Sequence, residues 1–398
     1  MYDRFLFVGL GGSGGATLAY LKNDIERWLR EGGYTDGVPE GWQFLHIDTP
    51  ASADTRPKLE TSEYLGLAAS GLQIQAVQNM LDGDGGLHKE LQAWRVADTG
   101  DIDIQRGASQ FRAIGRTVAM AYADKIKDRI GTSIARLSSG DVKDELRRVH
   151  HQMGDGEKVG SSSPLNLVVV SSLAGGTGAG LVMTVCDILR GLETEAGESV
   201  FGILYSPDVF DDLDPISVSG TQPNSLAALS EILNGYWWNG GTQPDPGREV
   251  VDPKRSRELE RAGINRDLQK SGPQYPFLIG KTNDAGVVFD KPDSLYSTVG
   301  RALLSWINDK MVQEKFINYH IGNWQSKAEN HLMKPNTLVD VGAESEKGLP
   351  AFSSLGFSRL SIGTKYFENY SVLRLLRYAL DHLARFHEES AEAEVQRH

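Results

Sequence analysis

Two glycine clusters are the residues best placed to do chemistry. Gly9-Leu10-Gly11-Gly12-Ser13-Gly14-Gly15 follows the apolar run 4–8. Ala174-Gly175-Gly176-Thr177-Gly178-Ala179-Gly180 follows the run 165–171, whose apolar residues with the β-branched Val168-Val169-Val170 read as a strand buried on both faces. Each cluster sits where a strand meets a helix. Without Cβ atoms, the backbone there can approach a phosphate closely and take positive φ. The helix start adds backbone N–H groups and the positive end of a dipole. Taken alone, the first loop fits the dinucleotide pattern through Gly9, Gly11 and Gly14, with Asp48 at the end of the next strand as the ribose acid. That reading, a Rossmann-type NAD-binding enzyme, leaves the second loop unexplained. A tight turn that binds nothing requires fewer than the five glycines found in the seven positions 9–15. The second loop is not a Walker A loop, because no Lys-Ser/Thr pair ends it. Two phosphate-cradling loops in one sheet imply a polyphosphate held between two helix N-termini.

The elements that must carry these loops alternate in type. Strands are predicted at 4–8, 42–47, 165–171, 200–205 and 277–280, with a further one at 357–362. Helices are predicted from Ala16 to Leu29, over 72–82, 181–192 and 223–234, and over 366–396. Val118, Tyr122, Ile126, Ile130 and Ile134 recur at i+4 and predict one long helix, as do Leu295, Val299, Leu303, Ile307 and Met311 over 293–317. Residues 154–164 read as a linker, and the polar stretch 239–274 as a surface insertion. Alternating strands and helices predict an α/β fold with a mostly parallel sheet flanked by helices. Ligands in such sheets sit at the carboxyl ends of the strands, where both glycine loops lie.

The stretch 174–180 resembles the Gly-Gly-Gly-Thr-Gly-Ser/Thr-Gly signature of the tubulin/FtsZ superfamily, with Ala174 in place of its first glycine. The surrounding order resembles a divergent prokaryotic member. Gly9 to Gly15 looks like the first nucleotide loop, and Asp48-Thr49 the second. Gly107-Ala108 with Gly115-Arg116 looks like the third, and Tyr205-Ser206-Pro207 with the acids Asp208, Asp211, Asp212 and Asp214 the fifth. Pro223-Asn224-Ser225-Leu226 resembles the stretch whose Asn reads guanine, and Asn283 is a weaker match for a second reader. The resemblance implies a GTP-binding domain over 1–292, a long central helix over 293–320 and a short or incomplete second domain over 321–398.

The same resemblance implies roles. Gly11, Gly12, Ser13 and Gly14 would hold the α/β-phosphates of GTP or GDP, and Ala174, Gly175, Gly176, Thr177 and Gly178 the β/γ-phosphates. Mg²⁺ would offset the phosphate charge with few protein ligands, and no protein metal ligand is assigned. Pro207 and Asp211 would face the ribose. Asn224 either reads guanine, offering a donor and an acceptor, or caps the helix after Pro223. In the family a seventh-loop acid completes GTP hydrolysis on the next subunit of a head-to-tail filament. The corresponding stretch here holds Asn323 and Gln325 but no acid, and Glu329 is the nearest downstream carboxylate. The implied activity is a weak GTPase or none, and a non-polymerising GTP-binding switch remains the alternative.

Composition narrows the partners. Against 41 Lys and Arg stand 53 Asp and Glu, and a net charge of -12 argues against general binding of nucleic acid or anionic membranes. The single cysteine, Cys186, excludes an internal disulfide and a Cys-based metal cluster, and favours a cytoplasmic setting. No run approaches the length of a membrane span. The expected partner is a second copy of the chain. The insertion or the C-terminal helix, apolar along Leu373, Leu376, Leu380 and Leu383, could meet another protein.

Overall fold

The structure is a computed structural model. It describes residues 1–53, 57–69, 71–85, 87–96, 104, 107–153, 163–192, 200–213, 218–237, 257–264, 268, 271–283, 286–309, 312, 352–356 and 364–395. Strand β1 (Arg4–Leu10) runs directly into α1 (Gly11–Glu31), and β2 (Trp42–Asp48) and the short β3 (Tyr64–Gly66) follow. Next come α2 (Ile74–Asp82), α3 (His88–Trp94), α4 (Arg112–Ala121), α5 (Ala123–Leu137) and α6 (Gly140–Gln152). The chain continues through β4 (Leu165–Ser172), α7 (Gly176–Gly191), β5 (Val200–Tyr205), α8 (Thr221–Trp237) and α9 (Arg257–Arg261). The last elements are β6 (Tyr275–Ile279), α10 (Pro292–Asn308) and α11 (Thr364–Val395). The chain divides into two units, Met1–Leu355 and Gly356–His398.

The six strands are all parallel, in the order β3-β2-β1-β4-β5-β6. Every residue of β1 and β4 is buried, as the apolar runs require when helices cover both faces. Phe5, Phe7, Val168, Val170, Phe201 and Ile203 point into one core with α1, α6 and α10. Leu6, Val8, Leu10, Leu167 and Val169 point into the other with α2, α4, α5 and α7. From β1 the chain steps first to β2 on one side, then to β4 on the other. That reversal opens a crevice at the carboxyl ends of β1 and β4, and both glycine loops leave from those ends.

Several expectations need correction. Helix α1 begins at Gly11, not near Ala16, so the first glycine loop is split between the end of β1 and the first turn of α1. The long helix expected around 118–134 is two helices. Tyr122 leaves helical geometry at φ -120° and ψ 24°, while the i+4 stripe continues across the break. The helix expected over 293–317 ends at Asn308. Asp309 is extended, and its carboxylate accepts from the N–H of Val312 at 3.2 Å, as at the start of a new turn. Of the surface insertion at 239–274, most of the described residues are buried, although Glu260 and Gly263 are exposed. Leu259, Ala262, Ile264 and Leu268 join the core beside α7. The linker at 154–162 and the strand at 357–362 lie outside the described residues. Ser353 instead pairs with the outer edge of β6, its O accepting from Leu278 N–H at 2.8 Å. In the second unit, residues 367–385 of α11 are exposed.

Cys186 is fully buried on α7, as expected of a small apolar side chain. Its neighbour Asp187 clamps the chain entering β6. Its carboxylate accepts from the Ser271 hydroxyl at 2.5 Å and the Gly272 N–H at 2.6 Å. Burial raises the Asp187 pKa to about 6, against these hydrogen bonds and Arg190. A carboxyl raised above its unfolded value contributes stability that is complete below that value, 3.8, and lost as pH rises through about 6. Asp187→Asn keeps an acceptor for Gly272 and removes the titration. Its stability relative to wild type should therefore rise by ~2 kcal/mol between pH 4 and pH 7.5. Urea unfolding at both pH values checks this. A difference independent of pH would show that Asp187 is not raised.

Candidate functional site

The two glycine loops touch. A Cβ on Gly11, which has φ +65°, would lie 3.2 Å from the backbone N of Gly178 and 3.5 Å from Thr177 Cβ. The starts of α1 and α7 therefore lie side by side over the crevice between β1 and β4. Neither start is capped by a side chain, and neither has an acid in its first turn. The first N–H groups of a helix have no intrahelical acceptor, so two adjacent, uncapped starts concentrate donors and positive potential in one place. Gly12 is exposed and Ser13 half-exposed on α1, and Gly175 is half-exposed at the start of α7.

Not every amide of the second loop is available. Ala174 N–H donates to the Ser172 hydroxyl at 3.0 Å, and Gly176 N–H donates to Ser109 O at 2.8 Å. Gly176 is wedged against the 107–110 loop, where a Cβ would lie 2.5 Å from Ala108 O. That loop is held in unusual geometry. Gly107 has φ +92°, and Ser109 at φ +47° is the one non-glycine residue with positive φ among the described residues. Gly115 and Gly180 serve packing. A Cβ on Gly180 would lie 2.6 Å from Arg116 N, and α4 and α7 meet there backbone to backbone.

Thr49, just past β2, reaches across to α7, its hydroxyl 2.8 Å from that of Thr177. Asp48 is buried and accepts from Thr49 N–H at 2.7 Å. Among the described residues no group of three His, Cys, Asp or Glu side chains is arranged to hold a metal. Beneath the first loop lies His46, fully buried, with Nε2 3.0 Å from Gly11 O. Its ring fills the space that Gly15 leaves, 2.2 Å from where a Cβ would sit.

The remaining candidates lie after β5, after β6 and on α8. Pro207 opens a short 3₁₀ turn after β5, and Asp211 is exposed at its end. Asp208 is taken up structurally, accepting from Lys281 N–H at 2.7 Å. Asn283 is exposed in the turn after β6, where its Oδ1 accepts from Val287 N–H at 2.9 Å, so it stabilises that turn. Asn224 is the fourth residue of α8 and hence not its cap. Its Nδ2 donates to Gln110 O at 2.7 Å and Ala174 O at 2.9 Å, pinning the 107–110 loop to the second glycine loop. Asn323, Gln325, Glu329 and Asp214 lie outside the described residues.

At this site Tyr296 went unnoticed in the sequence, and Tyr205 was read there only as part of the fifth loop. Tyr296 on α10 places its hydroxyl 2.9 Å from that of Ser13. Tyr205, the last residue of β5, places its hydroxyl 2.8 Å from that of Thr17 on α1. The one available signal was their place: Tyr205 ends a strand on the glycine-loop side, and Tyr296 lies in the first turns of a helix.

A family model described as "Tubulin like" matches residues 6–381. Among solved structures, similarity extends to CetZ from Methanosaeta thermophila strain DSM 6194, at 12% identity and TM-score 0.40, covering 83% of this chain and 60% of that one. It also extends to a GTPγS-bound protofilament of CetZ2 from Haloferax volcanii, at 13% identity and TM-score 0.35, covering 79% and 62%. A third is a GTPγS-form protofilament of TubZ from Bacillus thuringiensis serovar israelensis, at 14% identity and TM-score 0.28, covering 58% and 41%. The chain thus spans about 60% of the length of the first two. No curated protein matches.

Proposed function

Since this chain belongs to the tubulin-like family, we propose that it binds GTP between the starts of α1 and α7. The observation that carries this reading is the contact between two uncapped, acid-free helix starts at the strand-order reversal. Gly12, Ser13 and Gly14 would face the α/β-phosphates. Gly175, Thr177 and Gly178 would face the β/γ-phosphates, with Ala174 and Gly176 holding the loop in shape. Mg²⁺ would ride on phosphate oxygens and water, with Asp48 as a nearby carboxylate beside Thr49. Strand order 3-2-1-4-5-6 also suits dinucleotide folds, but family membership and the second glycine loop favour a nucleoside triphosphate. GTP-dependent head-to-tail association is the leading form of this reading. A switch that binds GTP without assembling is favoured by the lack of an acid in 321–327.

The test is to denature purified protein, separate the released nucleotide by anion exchange, and titrate GTP, ATP and NAD in the presence of Mg²⁺. About one guanine nucleotide per chain is expected, and light scattering with GTP then separates filament from switch. Release of NAD, or of no nucleotide, would overturn the reading.

Asn224 carries a separate expectation. Both its amide protons are spent on carbonyls, which leaves only its oxygen to meet a base. Guanine and adenine each offer an N–H donor, so one acceptor separates them poorly. Asn224→Ala should therefore weaken GTP and ATP alike, by about tenfold, through loosening of the two loops. A loss confined to GTP would instead make Asn224 a base reader.

A further inference from the structure

We propose that Tyr296 is a positioning residue that aims the Ser13 hydroxyl at the bound nucleotide, an inference that rests on the GTP-binding reading above. Thr17 Oγ1 donates to Ser13 O at 2.8 Å, which uses its single proton. The Tyr205 hydroxyl, 2.8 Å from the same oxygen, must therefore be the donor in that pair. Tyr205 is fully buried, and burial holds its pKa well above the ordinary value, so it keeps the proton it donates. The backbone at Ser13 is thus tied through Thr17 to β5.

The side chain of Ser13 is tied separately, to α10. Tyr296 is 7% exposed, its ring packs edge-on against Tyr205 at 5.1 Å, and its hydroxyl lies 2.9 Å from Ser13 Oγ. Burial pushes its pKa up to about 12, against the Ser13 hydrogen bond and with a contribution from Asp293. Its phenol therefore stays protonated over the working pH range. When it donates to Ser13, the serine proton turns outward, over the half-exposed start of α1. A serine with one lone pair occupied in this way can turn its proton toward a phosphate or ribose oxygen.

The distance between the two hydroxyls is set by backbone packing. Helix α10 meets α1 through Gly300, where a Cβ would lie 3.1 Å from Leu21 N and 3.4 Å from Thr17 O. No flexible side chain separates the helices at that point. The hydroxyl pair is therefore a short, stiff link from the first glycine loop to α10.

The experiment uses the full chain as wild type, Tyr296→Phe, Ser13→Ala and the double variant. Release of radiolabelled GDP is followed after a chase with unlabelled GDP, and melting of the nucleotide-free proteins is recorded alongside. Phe keeps the ring packing against Tyr205 and loses only the hydroxyl. Ser13→Ala removes the other partner at a half-exposed position and keeps the test open should the first variant fold poorly. Each single variant should release GDP about five- to tenfold faster, and the double variant no faster than either. The ratio of wild type to Tyr296→Phe should stay flat from pH 6 to pH 9. A tyrosine that only packs α10 onto α1 would lower the melting temperature and leave release unchanged. That outcome, or additive acceleration in the double variant, overturns the inference. Failure of the wild type itself to bind GDP or GTP would overturn the nucleotide reading instead, and is read from the wild type alone.

Discussion

Gly175→Asp should remove GTP binding and leave the fold as stable as wild type. Gly175 caps the start of α7 with φ -81° and ψ 165°, which any residue can adopt. A Cβ there meets nothing within 4 Å. Aspartate at such a position accepts from the helix N–H groups and is at least as good a cap as glycine. It also puts a negative charge where the phosphates are proposed to sit. At about 4 Å and an effective dielectric near 20, that repulsion is ~4 kcal/mol, or about a thousandfold in affinity. Isothermal titration with GTP and a thermal melt measure the two effects separately. Undiminished affinity would remove α7 from the binding site. Gly176→Asp is a poorer probe, although it lies in the same loop. Its Cβ would press on Ala108 O at 2.5 Å and Ser109 O at 2.8 Å, so the variant should lose stability before it reports on phosphate.

Glu258→Ala should cost ~3–5 kcal/mol of stability, because it strands a buried guanidinium. Arg116 Nη2 lies 2.8 Å from Glu258 Oε2, with the two side chains 11% and 2% exposed. Burial opposes the charge on Arg116, but Glu258 and the more distant Glu231, Glu90 and Asp187 outweigh it and hold its pKa above the ordinary value. Arg116 also bonds the Thr184 hydroxyl of α7 and lies over the Trp94 ring at 5.9 Å. The pair therefore joins α9 to the α4–α7 layer behind the second glycine loop. Replacing both partners, as Arg116→Met with Glu258→Leu, should recover most of the loss, since an apolar pair of similar volume leaves no charge stranded. Urea unfolding of the two variants measures both values. A loss under ~1 kcal/mol in Glu258→Ala would mean that water reaches Arg116.

The glycine loops and the strands that feed them were legible because their causes are local. A run such as 165–171, apolar except for Asn166 and Ser171, suits a strand covered on both faces, and glycines crowded between strand and helix have few other uses. The charge, the single cysteine and the resemblance to the tubulin superfamily were likewise available from residue types and their order. The split at Tyr122 was hidden because the apolar stripe runs through it unchanged. The stretch 257–268 was misread because its few apolar residues are diluted by charge, and one of those charges, Glu258, is buried by a partner 142 residues away.

What only the tertiary structure decided are the pairings between distant residues. The Asn224 amide meets carbonyls 114 and 50 residues away, and Ser13 meets Tyr296 across 283 residues. The side-by-side start of α1 and α7 depends on β4 lying against β1, a pairing between segments about 160 residues apart. Periodicity and composition describe how a segment behaves on its own. A hydrogen bond is governed by distance and angle over a few tenths of an ångström, and those are set when the sheet brings its strands together. The sequence by itself therefore determined the loops and the strands and helices that flank them, while the parallel pairing of β1 with β4 decided which amides and hydroxyls those loops keep free.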